Sequence, residues 1–427
     1  MFHKKTIRDI DLKNRTVLLR TDYNVPVEKG KITDDYRITQ SLETIHYLLS
    51  QNCKIIICSH LGRPEGKPDP DLSLFPVAKK LNEILNRQVD FVLDCVGDQA
   101  SKAAANLKPG QLLLLENLRF HPEEEENDDN FAASLASYAQ VFVQDAFGVV
   151  HRAHASTVAI THHLPSVSGL LLEREVDTIT DAISHPKRPL IAVIGGAKIA
   201  DKIAVLKRFI NTADGLAIGG AMANTFLKAD GVEIGNSLYD EHDLPLAREI
   251  LNLAKDEAKK RHFIFSLPFD GVVASAVDPT KPTRIVDWSA HAIADIESYP
   301  KRPPRESGHV HENEKILDIG PFSGAFIAGL TQLANTVIWN GTMGVTETEG
   351  LLGSIGPYSH GTDLLIQGLT GEMGHKPYTI IGGGDTVGYI ESRKLVKMFD
   401  LVSTGGGASL DLMSGHTLPG VEALLNK

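Results

Sequence analysis

The chain has 427 residues and a formal net charge of −11, with 43 lysines and arginines against 54 acidic residues. A chain of this length is expected to form more than one domain, because single hydrophobic cores stop growing beyond roughly 250–300 residues. The negative charge argues against a general binder of nucleic acid or of an anionic membrane surface, since like charges repel. An anionic ligand therefore needs a local cluster of basic residues.

The first residues and the cysteines indicate where the protein works. Residues 1–11 are polar and charged, and no run approaches the roughly 18 apolar residues of a membrane span. Cys53, Cys58 and Cys95 form no Cys-x-x-Cys pair, and dispersed thiols fit a reducing compartment as buried side chains. The sequence therefore predicts a cytoplasmic protein that binds neither membranes nor nucleic acid.

Short apolar runs in the first half alternate with segments of helical pattern. This alternation indicates a parallel α/β sheet, on which ligands bind at the carboxyl ends of the strands. The acidic run at residues 123–129 is predicted to be a solvated loop and helix start. The predicted strands are residues 17–19, 55–57, 112–115 and 141–143. The predicted helices are residues 41–49, 74–85 and 131–138.

Basic and polar residues follow the ends of these strands. A single arginine is more often a solvated surface charge, but four in successive strand-end loops favour a small polyanionic ligand. Each charge-assisted hydrogen bond to such a ligand contributes roughly 1.5–3 kcal/mol. The residues that could converge on one edge are Asp22, Asn24, Arg37, His60, Arg63, Arg119 and Arg152.

A boundary between two lobes is predicted near residues 170–189. Apolar residues recur there at helical spacing through acidic residues, and two prolines stop the pattern. We interpret residues 171–186 as an amphipathic linker helix and hinge. The N-terminal lobe then spans residues 1–170 and the C-terminal lobe residues 187–411.

The second half opens on a strand-like run, residues 190–194, which Gly195 and Gly196 interrupt. Apolar spacing predicts a helix from Lys198 onward, with Lys198 and Lys202 together at its start. Cations there oppose the helix dipole, each at a cost of roughly 0.3–1 kcal/mol. An anion bound by the free N–H groups of the first turn would reverse the sign of that effect. Two solvated lysines remain the alternative, because a folded protein can carry so small a cost.

Glycine-rich loops follow five strand-like runs of the second half. Glycine lets the backbone approach a ligand closely, and loops that open into helices present N–H groups to phosphates. Their repetition favours a nucleotide-binding lobe with Asp385 as a candidate Mg²⁺ ligand, although tight turns alone would also explain the glycines. Neither G-x-x-x-x-G-K-[ST] nor G-x-G-x-x-G occurs, which argues against P-loop enzymes and the usual dinucleotide fold. The loops are residues 195–198, 219–222, 340–344, 382–386 and 403–407.

Over nearly its whole length and in order, the sequence resembles the phosphoglycerate kinase family. The matching stretches are RTDYNVP (20–26), SHLGRP (59–64), ENLRFH (116–121), DAFG (145–148), HRAHAS (151–156), GGAKIADK (195–202), DIGP (318–321), GGGDT (382–386) and STGGGASL (403–410). The resemblance implies an α/β fold of two similar-sized Rossmann-like lobes with parallel sheets, joined by a linker helix. It also implies that residues 412–427, which include the matching LPGVEAL (418–424), pack back on the N-terminal lobe.

The resemblance implies an enzyme, an ATP:3-phospho-D-glycerate 1-phosphotransferase with ATP or ADP and Mg²⁺ as cofactors. It would transfer a phosphoryl group reversibly between 1,3-bisphosphoglycerate and ADP, giving 3-phosphoglycerate and ATP, in glycolysis and gluconeogenesis. The two ligands would sit on separate lobes, so hinge closure must bring them in line and exclude water. A cytoplasmic monomer is expected.

Site residues follow from the resemblance, position by position. The implied 3-phosphoglycerate site comprises Asp22, Tyr23, Asn24, Arg37, His60, Leu61, Gly62, Arg63, Arg119 and Arg152. The implied nucleotide site comprises Gly196, Ala197, Lys202, Asn340, Glu347, Gly383, Gly384, Asp385 and Thr386, with Glu347 on the ribose and Asp385 on Mg²⁺. The charge on the transferred phosphoryl group would be stabilised by Arg37, Lys198, Lys202 and the amides of Gly405, Gly406 and Gly407.

Departures from the family pattern lie on the nucleotide side. Thr342 and Thr346 stand where the family has proline and phenylalanine, Ile316 or its neighbour lies where a glycine is usual, and a charged, proline-rich insertion covers about residues 287–315. These changes leave the preferred nucleotide open between ATP and GTP. A non-catalytic phosphoglycerate-binding scaffold is a further alternative, but such a protein would tolerate loss of Lys202 or Asp385, and both are present. A dehydrogenase is disfavoured, because the dinucleotide fingerprint does not occur.

Overall fold

A computed structural model describes residues 2–288, 309–351 and 356–427. Most of the insertion predicted at residues 287–315 lies outside the described residues. Contacts within the chain divide it into two compact units, and the division falls inside the segment predicted as a linker helix. Unit 1 comprises Met1–Thr180, Gly407–Leu412 and His416–Lys427, and unit 2 comprises Asp181–Gly406 and Met413–Gly415.

The elements of the first half alternate as the apolar pattern predicts. The strands are β1 (Thr16–Arg20), β2 (Val27–Glu28), β3 (Lys31–Ile32), β4 (Lys54–Cys58), β5 (Val89–Phe91), β6 (Leu112–Leu114), β7 (Val141–Gln144) and β8 (Ser166–Ser168). The helices are α1 (Tyr36–Gln40), α2 (Leu42–Ser50), α3 (Phe75–Leu85), α4 (Gly97–Asn106), α5 (Asp129–Ala136) and α6 (Leu170–Ser184). Sequence reasoning missed α4, because its buried positions are only the small residues Ala100 and Ala104.

The second half repeats this alternation. Its strands are β9 (Leu190–Ile194), β10 (Gly215–Ile218), β11 (Ile264–Ser266), β12 (Asp270–Ala274), β13 (Arg284–Asp287), β14 (Lys315–Ile319), β15 (Thr336–Asn340), β16 (Tyr378–Gly382) and β17 (Leu401–Val402). Its helices are α7 (Ile203–Thr212), α8 (Gly220–Ala229), α9 (Leu244–Lys260), α10 (Pro321–Leu333), α11 (His360–Thr370), α12 (Gly384–Ser392), α13 (Gly407–Ser414) and α14 (Pro419–Glu422). Within the described ranges, no helix has both the length and the apolar character needed to cross a membrane.

Each unit is built on a six-stranded sheet in which every pairing is parallel. The order is β5-β6-β4-β1-β7-β8 in unit 1 and β11-β10-β9-β15-β16-β17 in unit 2. The predicted fold class, α/β with two Rossmann-like lobes on parallel sheets, is confirmed. The sequence pattern did not reveal a small antiparallel sheet in unit 2, of order β13-β12-β14, in which β12 and β14 are far apart in the chain.

Both faces of the unit 1 sheet are covered, which explains why its strands are apolar throughout. Val17 and Leu19 of β1 belong to one core cluster, and Leu18 between them belongs to the cluster on the other face. Successive side chains of a strand point to opposite faces, so a strand buried on both faces needs a continuous apolar run. Likewise, Ile56 of β4 packs on the opposite face of the sheet from Ile55 and Ile57.

The predicted helix start at Lys198 is wrong, because α7 begins only at Ile203. A separate turn of 3-10 helix precedes it, at Ala200–Lys202. Oδ2 of Asp243 accepts hydrogen bonds from the backbone N–H groups of Ile199 (3.0 Å) and Ala200 (3.1 Å). A helix that began at Lys198 would leave the N–H groups of its first turn without partners within the helix. Here the carboxylate of Asp243, more than 40 residues away, accepts from two of them, and local sequence spacing does not show this interaction.

The C-terminal residues return to unit 1 through backbone hydrogen bonds. The N–H of Leu425 donates to the carbonyl oxygen of Ser166 (3.0 Å), and the N–H of Gly420 donates to that of Val150 (2.9 Å). Lys4 forms an isolated antiparallel bridge with Asn426. These contacts bind the two ends of the chain to one another within unit 1.

Buried carboxylates hold the first turns of two helices. Oδ1 of Asp145, just beyond β7, accepts from the N–H groups of Leu171 (3.0 Å) and Leu172 (3.2 Å) of α6. Asp270, at the start of β12, accepts from the N–H groups of Phe322 (3.0 Å) and Ser323 (2.8 Å) of α10. An acidic cap satisfies N–H groups that have no partner within the helix and complements the helix dipole.

Replacing Asp270 by alanine is expected to destabilise the protein by about 2 kcal/mol, because two helix N–H groups and the Ser323 hydroxyl lose a fully buried acceptor. Urea denaturation measures this loss as a lower midpoint at constant slope. Asp256→Ala, on the exposed surface of α9, is the matched control and should shift stability by less than about 0.5 kcal/mol. Equal midpoints for the two variants would contradict this account.

Candidate active site

Loops that follow β1, β4 and β6 are joined by hydrogen bonds at one edge of the unit 1 sheet. Nη1 of Arg37 donates to Oδ2 of Asp22 (2.9 Å) and to the carbonyl oxygen of Asn24 (3.2 Å). The N–H of Gly62 donates to Oδ1 of Asn24 (2.9 Å), and Nη1 of Arg119 donates to the carbonyl oxygen of Gly62 (2.8 Å). The structure therefore brings together five residues of the predicted acid site, which come from distant parts of the chain.

His60 is buried within this group of arginines. Its Nδ1 lies 3.9 Å from Oδ1 of Asp22 and 3.5 Å from Nη2 of Arg20. Burial, together with the charges of Arg20, Arg119 and Arg37, holds the pKa of His60 well below its ordinary value. The imidazole is therefore neutral at pH 7. It adds no positive charge to that of the neighbouring guanidinium groups.

Arg20 and Glu124 are buried next to this edge. The sequence analysis assigned neither of them to the site. Arg20 is 1% exposed; its Nε donates to Oγ of Ser156 (2.8 Å), and its Nη2 lies 3.7 Å from Oε1 of Glu124. Glu124 accepts from the hydroxyl (2.6 Å) and the N–H (2.9 Å) of Ser156. The prediction of a solvated acidic run is thus wrong for Glu124, because a buried arginine and a serine satisfy its charge.

The other predicted acid-site residues divide into exposed and buried positions. Arg63 and Arg152 are exposed, and Nε of Arg152 lies 3.2 Å from Nε2 of His151. The side chains of Tyr23 and Leu61 belong to the core cluster, where the Tyr23 hydroxyl lies 2.9 Å from Oγ of Ser41. These two side chains support the loops, and the backbone N–H groups of both residues already donate, Tyr23 to Ser59 and Leu61 to Asn117.

His154 provides a test of the electrostatics of this edge. Burial and the charges of Arg119, Arg20 and Arg152 lower the pKa of His154 to about 4. The pKa of a histidine in an unfolded chain is about 6.5. Between that pH and the folded pKa of about 4, the unfolded chain therefore binds a proton at this residue that the folded chain does not. Stability should therefore fall as the pH drops from 6.5 to 4, by up to about 3 kcal/mol from this residue.

The measurement is NMR titration of the His154 ring, which should show a neutral imidazole at pH 6, together with urea midpoints at pH 7 and pH 5. His154→Gln should lose part of the pH dependence of the midpoint. The control His185→Gln changes an exposed histidine and should retain that dependence. A His154 ring that titrates near 6.5 would refute the prediction.

Lys202 lies at the centre of the predicted nucleotide site in unit 2. Its Nζ donates to the carbonyl oxygen of Gly195 (2.5 Å) and to Oδ1 (2.7 Å) and the carbonyl oxygen (3.2 Å) of Asn340. Burial lowers the pKa of Lys202 to about 8, and the charges of Asp385 and Asp201 oppose that shift. Since these three acceptors are neutral oxygens, an added anion would stabilise the charged amine.

Glycines allow the strand ends of unit 2 to approach one another. A Cβ on Gly195 would lie 2.1 Å from the carbonyl oxygen of Thr342, so no larger residue fits without moving the backbone. Gly196 and Gly383 have φ values of +123° and +92°, which side chains rarely adopt. The N–H of Gly341 donates to Oγ1 of the buried Thr386 (2.8 Å), which joins β15 to the start of α12.

Asp385 occupies the first turn of α12 and is exposed. A Cβ on Gly384 or Gly388 would meet nothing within 4 Å, so the backbone beside this carboxylate is open. Mg²⁺ in phosphate sites is commonly held by one or two carboxylates and by substrate phosphate oxygens. The residues present therefore fit a magnesium ion carried with a nucleotide.

The remaining predicted residues of the nucleotide and transfer sites are surface or loop positions. Ala197, Lys198 and Glu347 are exposed. The N–H of Gly405 donates to Oγ of Ser403 (3.1 Å), and Gly406 has a φ of +49°. Gly407 belongs to unit 1, where a Cβ on it would lie 3.3 Å from Nε2 of His151.

The departures from the family pattern occupy definite places in unit 2. The hydroxyl of Thr342 donates to the carbonyl oxygen of Gly344 (3.0 Å). This hydrogen bond stabilises the turn, whereas a proline at this position would restrict its backbone through a fixed φ. Ile316 packs partly buried against the cluster of Val273, Val286 and Val310. The side chains of Ile316 and Met343 also line a narrow cavity, together with Gly220, Ala223, Asn224, Leu227, Pro268, Trp288, Leu317, Asp318 and Ile319.

A basic edge in one α/β unit and glycine-rich strand ends in another are the architecture of a phosphotransferase. The family model for phosphoglycerate kinase matches residues 7–416. The chain belongs to the phosphoglycerate kinase family.

Relatives and solved structures show how far the similarity extends. The phosphoglycerate kinase of Moorella thermoacetica is 45% identical over 424 residues, which are 99% of this chain and 100% of the relative. That of Koribacter versatilis is 43% identical over 432 residues, with 99% and 100% covered. The structure of the Coxiella burnetii phosphoglycerate kinase has a TM-score of 0.79 at 35% identity and covers 98% of both chains. That of Pyrococcus horikoshii has a TM-score of 0.80 at 27% identity and covers 99% of this chain and 98% of its own.

Proposed function

We propose that the chain is a phosphoglycerate kinase, which transfers a phosphoryl group reversibly between 1,3-bisphosphoglycerate and ADP and yields 3-phosphoglycerate and ATP. The arginine-rich edge of unit 1 carries this proposal. It places Arg37 and Arg119 near a neutral His60 in a protein of net charge −11. Such an edge suits a small polyanion and would repel cationic ligands.

In unit 1, the phosphate and carboxylate of 3-phosphoglycerate would bind the guanidinium groups. Asp22 and Asn24 already orient Arg37, so little rotamer entropy remains to be lost when the ligand binds. Asp22, Asn24 and the buried His60 supply polar atoms that suit a hydroxyl group. The same residues would give specificity, because an analogue that lacks the hydroxyl loses its hydrogen bonds to them.

In unit 2, Lys202 and the N–H groups of the glycine loops would bind the nucleotide phosphates. The charge on the transferred group spreads over its oxygens, so catalysis consists of positioning and electrostatic stabilisation with little covalent chemistry by the protein. Asp385 would hold Mg²⁺, which neutralises phosphate charge when it is bound. A phosphate near Lys202 would raise its pKa, since an anion favours the charged amine.

The departures from the family pattern at Thr342, Thr346 and Ile316 bear on which nucleotide base unit 2 accepts. ATP is the proposed nucleotide, as the family resemblance implies, and GTP is the alternative that these departures leave open. We also place the enzyme in the cytoplasm as a monomer. The three buried, unpaired cysteines support a reducing compartment.

Removing a positive charge from either site is expected to lower kcat by about 100-fold or more, because the transition state loses an electrostatic partner. The variants are Arg37→Ala in unit 1 and Lys202→Ala in unit 2. Their controls are Arg8→Ala and Lys207→Ala, whose side chains form exposed ion pairs with Glu173 and Glu249. Turnover of 3-phosphoglycerate with MgATP, coupled to glyceraldehyde-phosphate dehydrogenase, reports the rates through loss of NADH. Turnover within a few-fold of wild type in either site variant would overturn the charge-stabilisation account.

Asp385→Asn tests the magnesium assignment. The neutral amide binds Mg²⁺ more weakly than a carboxylate, so the Mg²⁺ concentration for half-maximal turnover should rise by about tenfold or more. Asp256→Asn changes an exposed carboxylate of α9 and should leave that concentration unchanged. An unchanged magnesium requirement in Asp385→Asn would exclude the residue as a ligand.

A further inference from the structure

Three side chains of different chemistry meet in unit 1 at Asp94, Cys95 and His121. Asp94 and Cys95 lie between β5 and α4, and His121 follows the 3-10 turn Leu118–Phe120 beyond β6. Strands β5 and β6 pair in parallel, so the loops at their carboxyl ends are neighbours. A carboxylate oxygen, the thiol sulfur and a ring nitrogen of the three residues all lie within 4.8 Å of one another.

Hydrogen bonds hold two of these side chains in place. Nε2 of His121 lies 2.7 Å from Oδ1 of Asp94, which also accepts from the N–H of Cys95 (2.7 Å). The ring of Phe131 packs against the imidazole with centroids 5.4 Å apart. The imidazole and the carboxylate therefore converge on one point beside the sulfur of Cys95.

We propose that Asp94, Cys95 and His121 form a binding site for a thiophilic divalent cation, with Zn²⁺ as the metal that the ligands suit best. Thiolate and imidazole favour zinc over the hard ions Mg²⁺ and Ca²⁺, which take oxygen ligands. Three protein ligands with a water molecule complete a tetrahedron. The site is separate from the proposed Mg²⁺ site at Asp385 and does not depend on the proposed function.

Forming such a tetrahedron requires the three side chains, whose ligand atoms lie within 4.8 Å of one another, to adjust their positions. Zinc bonds of about 2.0–2.3 Å place neighbouring ligand atoms roughly 3.3–3.6 Å apart. The 2.7 Å contact between His121 and Asp94 must widen by less than about 1 Å, and the cation then takes the place of the proton that the two side chains share. Small side-chain rotations supply this change, since Asp94 and His121 lie in loops outside the helices and strands.

Electrostatics and access favour a cation here. The side chains of Asp94 and His121 are 46% and 29% exposed, so an ion reaches the cluster from solvent, whereas Cys95 is fully buried. The carboxylates of Asp94 and Glu124 lie close enough to Cys95 to act on it electrostatically. Those same negative charges attract a dication. On binding, the S–H bond breaks, a sulfur–zinc bond forms and the proton passes to water, so affinity should weaken at low pH.

The test uses Co²⁺ as a spectroscopic substitute for Zn²⁺ in the full chain after treatment with a chelator. A thiolate-to-cobalt charge-transfer band in the near ultraviolet should saturate at one ion per chain and disappear when Zn²⁺ is added. Cys95→Ser should abolish the band, and His121→Gln should weaken Co²⁺ affinity by about tenfold or more. The controls are Cys53→Ser, a buried thiol that lies 3.2 Å from the carbonyl oxygen of Leu12, and His163→Gln, which pairs with Asp129.

Absence of the charge-transfer band in the wild-type chain would overturn the proposal. So would an equal loss of the band in Cys53→Ser and Cys95→Ser. If circular dichroism shows that Cys95→Ser does not fold, the partly exposed His121→Gln variant decides, and unchanged affinity in that variant refutes the site. Because the readout is the metal itself, the result stands whether or not the chain turns over 3-phosphoglycerate.

Discussion

Parallel strand pairing is the constraint on which both candidate sites depend. When every strand runs in one direction, all carboxyl ends reach the same edge of the sheet. In unit 1 this brings Asp22, Asn24 and Arg119, the first and last of which are 97 residues apart in the chain, into one hydrogen-bonded group through Gly62 and Arg37. In unit 2 the same geometry brings Gly195 against Thr342. The loops differ in chemistry, whereas the scaffold that positions them is repeated.

A cluster of positive charges at one edge of a sheet needs buried partners that compensate part of the charge. Arg20 is buried below the arginine-rich edge and is compensated by Glu124 and Ser156. A buried charge without such partners would be strongly destabilising. Burial and the neighbouring arginines keep His60 neutral, so the edge does not add an imidazolium to its own repulsion. Contacts within the protein thereby hold the basic edge in place.

The two proposed anion sites differ in their chemistry. Under the proposed function, unit 1 would use guanidinium groups that a carboxylate and carbonyl oxygens orient, whereas unit 2 would use backbone N–H groups and one partly buried amine. Neutral oxygens hold Lys202, and burial lowers its pKa to about 8. An anionic ligand relieves that unfavourable burial, which links binding of phosphate to the charge state of the lysine.

The sequence by itself determined the four central strands of the unit 1 sheet, the fold class, the family resemblance and five residues that meet at the basic edge, because apolar runs and strand-end motifs are local signals. It also indicated glycines at the strand ends of unit 2. Only the tertiary structure decided that α7 begins at Ile203, that Glu124 is buried and that Cys95 lies beside Asp94 and His121. Each of these outcomes depends on a partner far away in the chain: Asp243 for the helix start, Arg20 for the glutamate and the loop beyond β6 for the thiol. Local spacing carries no information about such partners, since they become neighbours only when the sheets form.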